Sequence, residues 1–436
     1  MLKSWKKIVL TTLVAAMAVT GCTSGKTSDG QSKDAESEIK VPTDPVTLKL
    51  YAITSLTQIE YQKFYEEPIK AKYPHINIVR LEGSLDKLIA GGDIPDIILT
   101  DNDWFMPIVD VNLQWDMTDL VKKFKIDLNK FIPGAIQAIR NLDPEGKALY
   151  GIPIGRNVGA LFYNKDIFDK FGVPYPKDDM LWSEVLDLAR RLTRKENDVQ
   201  YIGWDPRFPD HIASPYTQPF VDPKTNKALI DTPLYRRILE LFVANYSIPG
   251  VVSGKSYAYA AATFMEQKRL AMMADWVSKI LTQLLDADES TVPNWDMVTN
   301  PTFEDRRGMG RHMLANMLVI TKTSTHKEQA MQVIDLLTSR EHQLFMTRFS
   351  RIPALNDPDM VKEYGMENPK LRTKNVAALF KNPASPTPPP HRYDKEVQEL
   401  IRNMRAELAL NKKDINTVLR ETQEKADKLL AELMSQ

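Results

Sequence analysis

The stretch YGIPIGRNVGALFYNKDIFDKFGVPYPKDDMLWSEVLDLARRLT, residues 150–193, carries most of the architecture of this chain in compressed form. Two short strand-like segments flank Gly151-Ile152-Pro153 and Gly155-Arg156-Asn157. A helix is expected to begin after Asn164. Between 182 and 193, Val185, Leu188, Ala189 and Leu192 recur at i, i+3, i+4 and i+7, the spacing of an amphipathic helix. Strand, strand, helix, helix in one run is the grammar of an α/β protein.

Upstream, VTLKLYAI (46–53) alternates apolar and polar residues as a strand does, a helix is expected near 57–73 before Pro74, and INIVRL (76–81) reads as a second strand. GGDIPDIILTD (91–101) adds a turn and a short buried strand ending at Asp101, so this part of the chain predicts a sheet of parallel strands. Downstream, helical spacing returns around Leu234, Ile238, Leu241 and Phe242, and again in 326–339. NPASPTPPPHR (382–392) is too rich in proline to be helical. Two last helices are expected near 393–410 and 413–434, the second capped by Asp414.

The chain contains one cysteine, Cys22. Lys3, Lys6 and Lys7 precede an uncharged run from Ile8 to Val19, and Val19-Thr20-Gly21 leads into Cys22, the layout of a secretory signal. The run is too short to span a bilayer, which takes about 20 residues. Residues 23–38 hold no apolar side chain larger than Ala, so they read as a tether. A catalytic thiol needs a rigid site and a neighbouring base, and a buried structural thiol needs a core around it; neither is expected here. The segment resembles the bacterial lipobox, which implies that residues 1–21 are removed and that Cys22 carries lipid on its sulfur and its amine. An export route without a second cysteine leaves no disulfide, so stability has to come from packed cores. Lys+Arg and Asp+Glu each number 57, a balance that offers no footprint for nucleic acid.

Enzyme signatures are sparse. The six histidines (75, 211, 312, 326, 342 and 391) are never paired at i+3 or i+4, which argues against a local zinc motif. No G-x-S-x-G elbow, Walker loop or H-E-x-x-H occurs. GMGR (308–311) lacks the third glycine of a dinucleotide loop, and DND (101–103) starts like a calcium loop but meets Phe105 where an oxygen ligand belongs. Two facing carboxylates of a glycosidase are not excluded by sequence.

Several blocks in order resemble the bacterial extracellular solute-binding proteins of family 1, the sugar-type receptors of ABC importers: GGDIPDIIL, residues 150–193, TFMEQKRLAMMADW (263–276) and LVITKTSTHKEQAMQVIDLLTSREHQLFMTRFSRIPA (318–354). The likeness runs from residue 46 onward. It implies an α/β, two-lobed periplasmic-binding-protein-like fold of type II, with a tether over 22–45, one lobe from 46–157 and 308–353, and the other from 158–307 and 354–436. It also implies a monomer held on the outer face of a bacterial membrane by lipid, a carbohydrate ligand, an oligosaccharide by preference, importer permease subunits as partners, and no cofactor, metal or catalysis. Two positions depart from the pattern. Leu181 stands where a capping Thr or Ser is usual, and Arg351 replaces a small residue, placing a cation near the cleft.

Sugar recognition combines flat apolar faces with fixed polar groups, and three stretches that follow expected strands join both: Asp101, Asp103 and Trp104; Trp204 and Asp205; Asp275 and Trp276. The usual fate of a tryptophan is the core, but adjacent carboxylates make that burial costly. Arg156 and Asn157 at the first lobe crossing, Arg351, and more weakly Tyr216 and Tyr393 complete the candidate ligand-binding set. Asp103, Asp205 and Asp275 would accept hydrogen bonds from hydroxyls. The alternatives are a surface lipoprotein enzyme acting on polysaccharide, or a receptor of the same fold for an anionic or peptide ligand, the latter favoured if Arg156, Arg311 and Arg351 converge.

Overall fold

The computed structural model describes residues 41–435; the signal-like segment and Cys22 lie outside them. Two five-stranded sheets organise the chain. The first contains β1 (Val46–Ala52), β2 (Ile76–Leu81), β3 (Ile97–Asp101), β4 (Ile152–Asn157) and β10 (Leu314–Ile320), in the order β2-β1-β3-β10-β4. The second contains β5 (Gly159–Asn164), β6 (Arg194–Glu196), β7 (Val199–Asp205), β8 (Leu270–Trp276) and β9 (Trp295–Thr299), in the order β6-β7-β8-β5-β9.

The parallel sheet expected from the β-α-β rhythm is present in β1, β2 and β3. β10 modifies it, because it arrives from the second sheet and inserts antiparallel between β3 and β4. Each sheet is covered by its own apolar cluster. Leu48, Leu50, Ile97, Ile98, Val319 and Ile320 centre the first; Leu161, Phe162, Trp182, Trp204, Met272 and Met297 centre the second. The second cluster also takes in Val397, Ile401, Val418 and Leu430 from the two last helices, Asp394–Ala409 and Ile415–Met434. Two cores served by discontinuous chain make a two-lobed molecule.

Local chemistry explains many boundaries. Asn164 Oδ1 accepts from Asp166 N–H at 3.0 Å and opens the helix Lys165–Phe171, which Gly172 closes in the left-handed conformation. Asp414 caps the last helix through Thr417 N–H at 3.1 Å. The helix Trp182–Leu192 has no side-chain cap from Leu181. Its first turn is held instead by Glu184, whose Oε2 accepts from Leu181 N–H at 2.7 Å, and by the Thr302 carbonyl, which accepts from Trp182 N–H at 3.0 Å. The helix lies very close to β7: a Cβ added at Gly203 would sit 2.3 Å from the Ala189 carbonyl oxygen.

The chain passes between sheets at Val158, the single residue separating β4 from β5, and again between β9 and β10. Near the first passage the β4–β10 register slips between Asn316 and Met317, which pair with Gly155 and Pro153. Ile154 is therefore the extra residue of a β-bulge. A bulge re-aims the side chains around it, and Ile154, Gly155, Arg156 and Asn157 all border the same cavity.

Candidate functional site

A cavity with an empty volume of about 950 Å³, part of it open to solvent, lies where the two lobes meet. The first lobe contributes Thr54 and Ser55 after β1, Phe64 and Tyr65 from the π-helical turn Gln62–Glu66, Asp101 at the end of β3, the β4 residues and Asn316 of β10. The helix Val277–Asp286 brings Ser278, Leu281 and Thr282 from the second lobe. Ser350, Arg351 and Ile352 close one side. The wall thus offers many hydroxyl and amide groups beside an apolar surface of similar extent.

Four of the candidates read from the sequence border this cavity: Asp101, Arg156, Asn157 and Arg351. Asp101 is buried, with Oδ1 accepting from the N–H groups of Asp103 (3.1 Å) and Trp104 (3.0 Å). Burial, with the nearby Asp103 carboxylate, pushes it up to about 7. Asn157 holds the lobe crossing. Its Oδ1 accepts from Val158 N–H and Ser278 N–H, each at 3.0 Å, while Nδ2 donates to Ser278 Oγ at 2.7 Å. Arg351 forms an ion pair with Glu60, whose other role is in the capping box with Thr57. Arg156 donates its backbone N–H to the Ile352 carbonyl. Its guanidinium has no carboxylate within 4 Å among the described residues, Nε is buried without a partner, and burial lowers it to about 10.

Asp103 and Trp276 come together in a second polar group. Asp103 Oδ2 lies 2.9 Å from His312 Nε2, and His312 Nδ1 lies 2.7 Å from Ser214 Oγ. Asp103 follows β3 and Ser214 follows β7, so the histidine links the lobes. Trp276 meets the His312 ring edge-on at 5.3 Å and carries the Arg311 guanidinium 4.9 Å above its own ring. Arg311 Nε donates to Asn300 Oδ1 at 3.1 Å, and burial lowers its guanidinium to about 10. Burial pushes His312 down, but Asp103 outweighs that and the net shift is upward. The trio contains the residue types of a nucleophilic triad. Ser214, however, is not part of the cavity wall, and its Oγ also accepts the His312 backbone N–H at 2.9 Å. It is built as a strut.

The other candidates lie apart from the cavity wall. Trp204 is fully buried and stacked on Trp182, with centroids 5.4 Å apart. Asp205 accepts from the N–H groups of Arg207 (2.9 Å) and Tyr259 (2.8 Å). Asp275 receives Arg207 Nε at 2.9 Å and its neighbour's Trp276 N–H at 2.8 Å. Trp104 is surface-exposed beneath Lys395. Tyr216 donates to Asp305, and Tyr393 to the Leu433 carbonyl. Of the three arginines, Arg156 and Arg351 share the cavity wall, the second paired with Glu60, while Arg311 stays apart over Trp276. Sequence reasoning passed over Thr54, Ser55, Ser278, Thr282 and Asn316; the place of Thr54 and Ser55 just beyond the first expected strand was the available signal.

The family model for the bacterial extracellular solute-binding proteins matches residues 57–344, well over half of the chain. The chain belongs to that family. A curated relative, the putative ABC transporter periplasmic-binding protein YcjN of Escherichia coli, is 25% identical over 199 residues, spanning 45% of this chain and 43% of that protein. This alignment thus covers less than half the length of the relative. Among solved structures, the ABC substrate-binding protein Lmo0181 of Listeria monocytogenes, in complex with cycloalternan, superposes with a TM-score of 0.73 at 19% identity, covering 89% of this chain and all of that one. The sugar-binding protein MalE of Xanthomonas citri gives 0.66 at 18% identity, with coverages of 89% and 98%. The fold is therefore the two-lobed, MalE-like α/β fold expected from the sequence. Among the described residues no helix is long and apolar enough to cross a membrane.

Proposed function

We propose that this solute-binding protein is a carbohydrate receptor. The carrying observation is the cavity between the lobes, whose wall presents Thr54, Ser55, Asn157, Ser278, Thr282 and Asn316 beside Phe64 and Tyr65. Hydroxyls and amides in fixed positions next to an apolar wall are the complement of a sugar's alternating O–H and C–H surface. Relatives of the same fold point the same way: one holds cycloalternan, and another is a sugar-binding protein.

In this reading Cys22 anchors the chain by lipid to the outer face of the bacterial membrane, and the lobes close on an oligosaccharide and present it to an ABC importer. Asp101, Arg156 and Asn157 form the polar floor, with Trp276 and the Asp103–His312–Ser214 link at its margin. Residues 46–157 with 308–353, and 158–307 with most of 354–436, act as the two moving bodies, although Ala354, Leu355 and Met360 pack in the first core. Closure is a population shift set by the ligand's differential affinity for the two states. The ligand leaves chemically unchanged.

A thermal-shift screen against neutral and acidic saccharides, with peptides as controls, tests the reading. A ligand at 100 times its dissociation constant stabilises the fold by about 2.7 kcal/mol. A saccharide that stabilises the chain and is recovered intact supports the receptor. Shortened products would establish an enzyme, and stabilisation by peptides alone would move the receptor to another ligand class.

A further inference from the structure

We infer that the cavity takes an acidic saccharide, one uronic acid carboxylate docking on Arg156; this rests on the carbohydrate-receptor reading and names the ligand class within it. The argument is one of unbalanced charge. Arginine is almost never found buried without a partner, and desolvating a cation is costly unless an anion or several acceptors replace the lost water. Arg156 Nε is buried with no acceptor, and the closest aromatic face, Phe380, lies 5.8 Å from the guanidinium carbon. Every other charge in the wall is provided for. Arg351 is neutralised by Glu60, and Asp101 is held by two backbone N–H groups while burial favours its uncharged form.

The geometry also fixes the number of charges. Beside the bulge at Ile154 a single unpaired guanidinium borders the cavity; Arg311, with Nε on Asn300, its plane over Trp276 and Nη1 buried without a partner, lies outside the cavity wall. A guanidinium fork matches one planar carboxylate in a bidentate pair. The remainder of the wall supplies hydroxyls and amides for uncharged rings. One acid sugar among neutral ones fits; a polyanion does not.

Isothermal titration tests this with glucuronosyl-xylotriose and galacturonosyl-rhamnose, each beside its carboxyl-reduced counterpart, with maltotriose and mannotriose as neutral references. At least one acid should bind about tenfold or more tighter than its reduced form, the scale of a charge-assisted pair. Arg156→Gln should remove that gap, with an unchanged circular dichroism spectrum and a cooperative melt showing that the variant folds; Arg156→Lys should keep part of the gap. Reduced ligands binding as well as acids, or a gap that survives Arg156→Gln, overturns the proposal. Binding of maltotriose or mannotriose without any acid overturns it too, with the receptor reading intact. If no saccharide of either kind binds, both fall together.

Discussion

Replacing Asp101 with Asn should make the ligand-free protein more stable, and increasingly so as pH rises. The carboxyl is buried at the end of β3, with Asp103 close by, and its pKa is pushed up from 3.8 to about 7. For an acid with a raised folded pKa the sign of the linkage is inverted from the usual carboxylate. Between pH 3.8 and 7 the folded chain holds a proton that the unfolded chain has lost, so stability falls as pH climbs. Three pH units at about 1.4 kcal/mol each amount to a cost on the order of 4 kcal/mol once pH exceeds 7, against roughly 2 kcal/mol at pH 5. Asn removes the ionisation and keeps an Oδ1 acceptor for the N–H groups of Asp103 and Trp104. The stability gap between Asp101→Asn and the parent chain should therefore widen by about 2 kcal/mol from pH 5 to pH 8. Urea unfolding followed by tryptophan fluorescence at the two pH values measures it. A gap of equal size at both, or a variant less stable at pH 8, would refute the assignment of a carboxyl disfavoured by burial.

Three further substitutions probe the rest of the frame. Trp204→Ala empties a fully buried site against Trp182 and should cost about 3–5 kcal/mol, seen as a lower Tm, while saccharide affinity below the transition stays within experimental error. Gly203→Ala drives a methyl into the Ala189 carbonyl, backbone against backbone, and should destabilise the second lobe by at least about 1–3 kcal/mol in denaturant titration. Asp103→Asn withdraws the charge that raises His312: its imidazole pKa in an NMR titration should drop. Because a histidine with a raised folded value stabilises below about pH 6.5 and loses that contribution as pH rises through its folded pKa, the parent should exceed the variant by more at pH 6 than at pH 8.

Elements whose cause is local were readable from the chain itself. The strands ending at Asp101 and Asn157, the helix start after Asn164 and the cap at Asp414 depend on residues a few positions apart. Strand ends also led directly to Asp101, Arg156 and Asn157 in the cavity wall. The Trp-Asp pairs stand outside the cavity wall, and consecutive residues on a strand face opposite ways. Trp204 turns inward to Trp182, while Asp205 is made comfortable by Arg207 and by the N–H of Tyr259, 54 positions away. That distant compensation has no sequence signature. Thr54, Ser55 and Ser278 escaped notice for the converse reason, since hydroxyl residues in loops and first helical turns are too common to mark a site.

Asn157 has a mechanical consequence. Its side-chain oxygen, at the last residue of the first lobe, accepts from two backbone N–H groups of the second, at Val158 and at Ser278, and its amide nitrogen grips the Ser278 hydroxyl. A joint pinned at three points resists bending in every direction but one that leaves those points at rest. On the closure proposed above, the axis about which the two bodies swing runs close to this side chain, and the jaws open widest at the residues farthest from it. Asn157 acts as the bearing of the hinge, and wear at a bearing shows as play at the tips.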